Sequence, residues 1–136
     1  MAKVTKINHV AVVVPDLENS LSFWKDALGL ELNHIEDVPS QKSAVAFFPV
    51  GDSEVELVKP TSEDSGVAKF LADRGGGMHH LCFEVDDIEG MMASLKEKGV
   101  RLINDTPQVL PGRKMAFVHP KSTGGVLVEL YQITRE

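Results

Sequence analysis

The chain repeats one segment of its own sequence. Residues 7–27 (INHVAVVVPDLENSLSFWKDA) align without a gap with residues 78–98 (MHHLCFEVDDIEGMMASLKEK), about half the 136-residue chain further on. A repeat of this length limits the fold to two similar modules, each of which folds in the same way. The identical pairs are His9/His80, Val14/Val85, Asp16/Asp87, Glu18/Glu89 and Lys25/Lys96.

Each copy begins with a strand and continues as a helix. Apolar residues alternate along the strand, at positions 10, 12 and 14 and again at 81, 83 and 85, which predicts one core-facing side. Asp16 and Asp87 then stand where a side chain caps a helix N-terminus. Apolar residues at three- and four-residue steps predict that each helix packs on its own strand.

Three short apolar segments follow each helix. They lie near residues 30–34, 44–50 and 54–58, and again near 101–103, 114–118 and 126–131. Another helix, near 66–73, is predicted between an N-cap at Ser65 and a stop at Gly75. We therefore predict an α+β fold in which two βαβββ modules form a curved mixed sheet. Residues 1–136 form one domain, with modules at about 5–60 and 77–133 and a helical connector at about 61–76.

Two histidines lie on the opposite side of these strands from the core. Side chains alternate between the faces of a strand, so His9 and His80 point away from the helix-packed apolar residues. His79 falls on the core side or at the rim of the strand. The repeat matches His80, and not its neighbour, with His9.

The last strand of each module carries a glutamate between apolar residues. The segment GDSEVELV aligns with TGGVLVELY, and this alignment places Glu56 opposite Glu129. A charged side chain in such a strand is costly unless it is paired or binds a metal. A single histidine or glutamate on a strand is usually structural, but four at matched positions predict a site. His34 and His119 have no counterpart, and we expect structural roles for them.

Two imidazoles and two carboxylates suit a borderline divalent ion. We predict that His9, Glu56, His80 and Glu129 bind one such ion, with Co²⁺ favoured and Ni²⁺, Mn²⁺, Zn²⁺ or Fe²⁺ as alternatives. An octahedral ion with four protein ligands keeps two adjacent positions for a bidentate substrate.

Composition restricts the partners. The formal net charge of −6 provides no basic surface for nucleic acid, and no apolar run is long enough to cross a bilayer. The only cysteine, Cys82, has no second thiol to pair with. Because the residues before the first strand lack an apolar stretch, we expect no secretory signal. We expect a cytoplasmic protein that binds neither nucleic acid nor membrane.

The quoted residues resemble the vicinal-oxygen-chelate superfamily and, within it, the methylmalonyl-CoA epimerases. The opening His-plus-strand motif is shared by the superfamily, whereas GGMHHLCFEVDDI and HPKSTGGVLVEL resemble the epimerases in particular. The resemblance implies interconversion of (R)- and (S)-methylmalonyl-CoA by proton removal at C2, with the enolate charge stabilised by the metal. It also implies a homodimer.

The resemblance transfers metal binding onto His9, His80 and Glu129, whereas Glu56 stands where epimerases often have Gln. Family members with a catalytic carboxylate on the third strand have it near Val45, and residues 44–48 contain no acid. Glu129 and Glu56 are therefore our candidates for the acid–base groups. Late-loop cations that could contact the CoA phosphates, or that are simply solvated, are Arg113, Lys114 and Lys121.

Three other functions remain open. Lactoylglutathione lyase (glyoxalase I) resembles the chain in fold and uses a His, Glu, His, Glu ligand set, but glyoxalases tend to have an Asp-Pro-Asp-Gly turn where this chain reads HPKSTGGVLVEL. An extradiol Fe(II) dioxygenase needs only two histidines and one carboxylate. A metal-free binding protein of the same fold would need no ligand set.

Overall fold

The computed structural model describes residues 1–134, which divide into two compact units. One unit comprises residues 9–79, and the other comprises residues 1–8 and the described residues from 80 to 134. We call them the first and second unit. Strand β1 (Val4–Val13) contributes its first residues to the second unit and the remainder to the first. No helix within residues 1–134 has the length and apolar character needed to span a membrane.

The first unit contains a four-stranded mixed sheet and two helices. Its strands are β1, β2 (His34–Val38), β3 (Ser43–Val50) and β4 (Ser53–Pro60). They are ordered β2-β3-β4-β1, with β4 antiparallel to β3 and parallel to β1. Helix α1 (Leu17–Leu21) continues as a π-helical segment over Ser22–Ala27, and helix α2 spans Gly66–Arg74.

The second unit repeats this arrangement. Its strands are β5 (Gly77–Val85), which begins in the first unit, β6 (Gln108–Leu110), β7 (Arg113–Val118) and β8 (Leu127–Ile133). They are ordered β5-β8-β7-β6, with β8 antiparallel to β7 and parallel to β5. Helix α3 spans Ile88–Glu97. The predicted βαβββ order is therefore confirmed in both modules.

The predicted caps are present at all three helices. Asp16 accepts a hydrogen bond from the Glu18 amide at 2.9 Å, and Asp87 accepts one from the Gly90 amide at 3.1 Å. Ser65 begins α2 in the same way. These side chains satisfy amides that have no partner inside the helix, which fixes where each helix starts.

The two faces of the first unit's sheet carry different apolar clusters. Val12 and Val14 pack with α1, as predicted. The opposite face, with Ala11, Val13 and Val45, packs against α2 through Val67, Phe70 and Leu71. Helix α2 thus covers part of the face on which His9 lies.

One glycine fits helix α2 closely against β1. Gly76 has φ +102°, and a Cβ at this position would lie 2.8 Å from the carbonyl oxygen of Val13. Only glycine accommodates both the positive φ and the close backbone approach.

Two predicted strands are displaced along the chain. The segment near residues 30–34 mostly precedes β2, which begins at His34. Its Leu30 and Leu32 do not form a strand but pack in the same core cluster as the residues of α1. The segment near residues 101–103 forms a single bridge, from Leu102 to Val118, and the strand lies later at β6. Leu102 also owes its apolar character to the helix-side core. The one-domain organisation stays a prediction.

Candidate metal centre

The first unit brings His9 and Glu56 together. His9, on β1, is 2% exposed, and its Nδ1 lies 3.3 Å from Oε2 of Glu56 on β4. Glu56 is the register partner of Ala11, which lies two residues after His9 on the same face. Strand alternation on two parallel neighbours therefore directs both side chains to one side of the sheet.

The second unit builds the same pair from the second copy of the repeat. Nε2 of His80 on β5 lies 3.1 Å from Oε1 of Glu129 on β8, and the two side chains are 14% and 5% exposed. Glu129 is the register partner of Cys82, again two residues after the histidine. The duplication thus reproduces the relative placement of imidazole and carboxylate as well as the residue types.

The donor atoms fit a metal ion. Metal–nitrogen and metal–oxygen bonds of about 2.0–2.2 Å place ligands on adjacent coordination positions about 3 Å apart. The nitrogen–oxygen distances of 3.3 and 3.1 Å lie close to that value. A buried carboxylate such as that of Glu129 also requires a nearby positive charge or donor. Imidazole and carboxylate together suit a borderline divalent cation.

His79, the histidine next to His80, packs against helix α2. The His79 ring lies edge-on to Phe70 of helix α2, with 4.9 Å between ring centroids. Of the two adjacent histidines in the second copy, His80 is therefore the one that contacts a repeat-matched carboxylate.

The two unmatched histidines have structural contacts, as expected. His34 stacks on Phe47 with 4.6 Å between ring centroids. Nδ1 of His119 accepts a hydrogen bond from the Lys121 amide and begins a short 3₁₀ turn, Pro120–Ser122.

Cys82 belongs to this region and was not singled out from the sequence. It is fully buried on the same face of β5 as His80, and its sulfur lies within 4.8 Å of a carboxylate oxygen of Glu129. Its parity with His80 was the available signal. The corresponding residue of the first copy is Ala11.

The third strand supplies no acid here. Val45 is 5% exposed and packs with Ala11 and Val13 in the cluster below helix α2. A carboxylate at this position would replace an apolar core contact, so the residues packed around it match the absence of an acid in residues 44–48.

The three cations that the sequence places in late loops differ in position: Arg113 and Lys114 begin strand β7, and only Lys121 lies in a turn. Lys114 points to the helix side and binds Glu89 of α3 at 2.7 Å, and this ion pair holds the pKa of the Glu89 carboxyl below its ordinary value. Arg113, one residue earlier, lies on the other face, above the ring of Tyr131. Lys121 is exposed in the 3₁₀ turn.

Known proteins share both the sequence and the fold. Residues 8–117 match the family described as the Glyoxalase/Bleomycin resistance protein/Dioxygenase superfamily. The mitochondrial methylmalonyl-CoA epimerase of Mus musculus is 42% identical over 132 residues, which cover 96% of this chain and 74% of that protein. An ethylmalonyl-CoA/methylmalonyl-CoA epimerase of Cereibacter sphaeroides is 38% identical over 133 residues, or 96% and 99% of the two chains. A probable lactoylglutathione lyase of Synechocystis is more distant, at 30% over 125 residues, or 91% and 92%.

Solved structures extend the similarity to the backbone. The methylmalonyl-CoA epimerase of Mycobacterium tuberculosis superposes with a TM-score of 0.86 at 35% identity, covering 97% of this chain and 90% of that one. A methylmalonyl-CoA epimerase in complex with methylmalonyl-CoA and NH4+ superposes with a TM-score of 0.85 at 34% identity, covering 97% and 96%.

Proposed function

Because the chain belongs to the glyoxalase superfamily and, within it, to the methylmalonyl-CoA epimerases, we propose that it interconverts (R)- and (S)-methylmalonyl-CoA. The predicted glyoxalase-like α+β fold and the predicted family are confirmed by the same relatives. The observation that carries the proposal is the buried His–Glu pair, present once in each copy of the repeat.

We propose that the two pairs bind one divalent ion. Its ligands would be His9 and Glu56 from the first copy and His80 and Glu129 from the second. Imidazole and carboxylate donors suit Co²⁺, which is our first choice, and also the alternatives Ni²⁺, Mn²⁺, Zn²⁺ and Fe²⁺. When bound, the ion would polarise the thioester carbonyl and lower the energy of negative charge on its oxygen.

The acid–base groups of this proposal are Glu129 and Glu56. Epimerisation moves the C2 proton to a base on one face of the substrate and returns a proton from an acid on the other. Each copy of the repeat supplies one carboxylate beside its histidine, Glu56 in the first copy and Glu129 in the second. One carboxylate accepts the proton as the C2–H bond breaks and leaves an enolate, and the other, protonated, delivers a proton to C2. The substrate therefore loses one proton and gains one, so its composition does not change.

The imidazoles have a second task in this scheme. Without an ion, each imidazole lies within hydrogen-bonding range of its carboxylate, so His9 orients Glu56 and His80 orients Glu129. When the same nitrogens bind the ion, coordination of the carboxylates would take over this orienting role. A carboxylate held at one angle costs less reorganisation when it receives a proton. The apolar residues around each pair limit access of water to the transferred proton.

A second candidate is the lactoylglutathione lyase reaction. The observation that favours it is the ligand set itself, since a carboxylate stands at Glu56 as well as at Glu129. Both reactions shift a proton on a carbon next to a carbonyl, so the same residues would serve. Isomerisation of the methylglyoxal–glutathione hemithioacetal distinguishes them.

The same proposal covers the surroundings of the enzyme. We propose a cytoplasmic homodimer, because epimerases of this family are expected to pair and apolar side chains such as Val109 and Met78 are exposed. Light scattering of the purified protein tests the dimer. Ethylmalonyl-CoA is the second substrate to test, since one relative carries both substrate names.

Deuterium exchange at C2 tests the function. In heavy water with added Co²⁺, we expect methylmalonyl-CoA to exchange its C2 proton and to epimerise, and a chelator to stop both. With saturating cobalt, Glu129→Gln should slow exchange by about 100- to 10,000-fold, because it removes an acid–base group but keeps an oxygen donor. Glu97→Gln, an exposed change of the same kind on α3, is the control. Exchange at the wild-type rate in Glu129→Gln would exclude the acid–base role.

A further inference from the structure

Arg113 is placed by a tight turn at the start of β7. The hairpin between β6 and β7 turns through Pro111 and Gly112, with Gly112 at φ +78°. Proline followed by a glycine of positive φ is typical of a type II turn. The turn puts Arg113 at the first position of β7, where its side chain takes the face shared by Met115 and Phe117.

That face is the one with the second His–Glu pair. Phe117 is the register partner of Glu129, and its ring lies 6.1 Å from and perpendicular to the ring of His80. Alternate residues of β7, beginning with Lys114, turn to the helix side instead. Arg113 and the His80–Glu129 pair therefore share one surface of the second unit's sheet.

The guanidinium is oriented by a stacking contact. Its central carbon lies 5.4 Å from the centroid of the Tyr131 ring, and Tyr131 is two residues from Glu129 on β8. The Tyr131 ring packs on one face of the guanidinium, and this stacking leaves the N–H groups at the edge of the guanidinium free to form hydrogen bonds in its plane.

One hydrogen-bond donor of Arg113 has no acceptor among residues 1–134. Its Nε is buried and has no hydrogen-bond partner within residues 1–134, and none of the ion pairs found there includes Arg113. Glu84 is the acid nearest by register, as the partner of Tyr131, but its carboxylate accepts a hydrogen bond from Asn8. A buried donor without an acceptor is costly, so an anion bound against this guanidinium would be favoured.

We propose that Arg113, held by Tyr131, is an anion-recognition residue for the acyl-CoA substrate. A guanidinium binds carboxylate or phosphate oxygens through paired N–H donors, and no lysine supplies that geometry. The oxyanion is either the free carboxylate of the malonyl-type group or a phosphate of CoA. The inference rests on the proposed function, because it assumes that an acyl-CoA occupies this face.

Three probes separate the two sources. Coenzyme A carries phosphates without the carboxylate, methylmalonyl-pantetheine carries the carboxylate without phosphates, and pantetheine carries neither. Binding of each is measured by calorimetry, which does not depend on turnover. Loss of one charge-assisted contact should weaken binding about 10- to 100-fold.

The variants are Arg113→Met, Arg113→Lys and, as the matched control, Lys114→Met. The control removes the same charge one residue away, on the helix side. We expect Arg113→Met to weaken binding of coenzyme A alone if the anion is a phosphate, and of methylmalonyl-pantetheine alone if it is the carboxylate. Arg113→Lys keeps the charge and should recover only part of the loss. Lys114→Met should bind all probes as wild type does.

The outcomes are distinct from those of the function itself. If wild-type protein epimerises and Arg113→Met, folded by circular dichroism, binds every probe as tightly as wild type, the inference is wrong and the function stands. If Lys114→Met weakens binding as much as Arg113→Met, the effect is one of general charge and the inference is also wrong. If wild type neither epimerises nor binds coenzyme A or methylmalonyl-pantetheine, both fail together.

Discussion

Replacing either repeat-matched histidine should remove the stabilisation that cobalt gives to the protein. A ligand at 100 times its dissociation constant stabilises the folded state by about 2.7 kcal/mol. For a chain of this length, 1 kcal/mol corresponds to about 3–5 °C in Tm, so wild type should gain about 8–13 °C.

The variants are His9→Ala and His80→Ala, one in each unit. Substitutions that act on a metal only indirectly cost about 10- to 100-fold in affinity, and loss of a direct ligand should cost at least the upper value. At the same cobalt concentration the variant is then near its own dissociation constant, which leaves about 0.4 kcal/mol and a gain of about 1–2 °C.

Differential scanning calorimetry with and without cobalt measures this gain within each variant. Comparing each variant with itself removes the loss of packing that follows from replacing His9, which is 2% exposed. His34→Ala, at an exposed ring, is the control and should keep the full gain. Titration calorimetry of wild type should find one cobalt ion per chain.

Two results would refute the reasoning. If His9→Ala retained a gain of about 8–13 °C, the first pair would not contribute to the stabilising ion. If wild type bound two ions per chain, and each histidine variant lost only one, the pairs would be independent sites. In either case the shared-ion proposal for Glu56 and Glu129 would fall.

Three further predictions concern stability and charge. Lys114→Met should raise the pKa of Glu89 toward its ordinary value of 4.5, as measured by NMR titration. Because the pKa of Glu89 is lowered in the folded protein, the ion pair stabilises wild type fully above pH 4.5 and loses this contribution as the pH falls through the folded pKa. Gly76→Ala should cost about 1–3 kcal/mol in urea unfolding, whereas Gly66→Ala, which meets nothing within 4 Å, should not destabilise α2. Met92→Ala, in the α3 core at 3% exposure, should cost about 2–5 kcal/mol, and a cost below 1 would show that the cavity collapses.

The sequence singled out the four residues of these pairs because they obey strand alternation, although it did not predict which histidine lies beside which glutamate. A polar residue on a strand that otherwise alternates is assigned to a face by counting, and the repeat supplied an independent check at His9 and His80. Glu56 and Glu129 stood out because apolar neighbours flank each of them. The caps at Asp16 and Asp87 were readable for a similar reason, since they depend on contacts within a few residues.

Features that depend on contacts distant in sequence were missed or misplaced. Leu30 and Leu102 look like strand residues in the sequence, but both are apolar because they close the core around a helix. The contact of Arg113 with Tyr131 depends on the register of β7 against β8, which no local pattern specifies. Cys82 was overlooked although strand alternation places it on the same face as His80, because a lone cysteine was considered only for disulfide pairing.

The two carboxylates of the candidate centre are not equally shielded from water. The side chain of Glu56 is 15% exposed and that of Glu129 is 5% exposed. A proton resting on Glu56 therefore meets solvent sooner than one resting on Glu129. In an epimerase that uses both, a substrate of one handedness would lose its original hydrogen to the medium, while its mirror image would more often recover the atom it gave up.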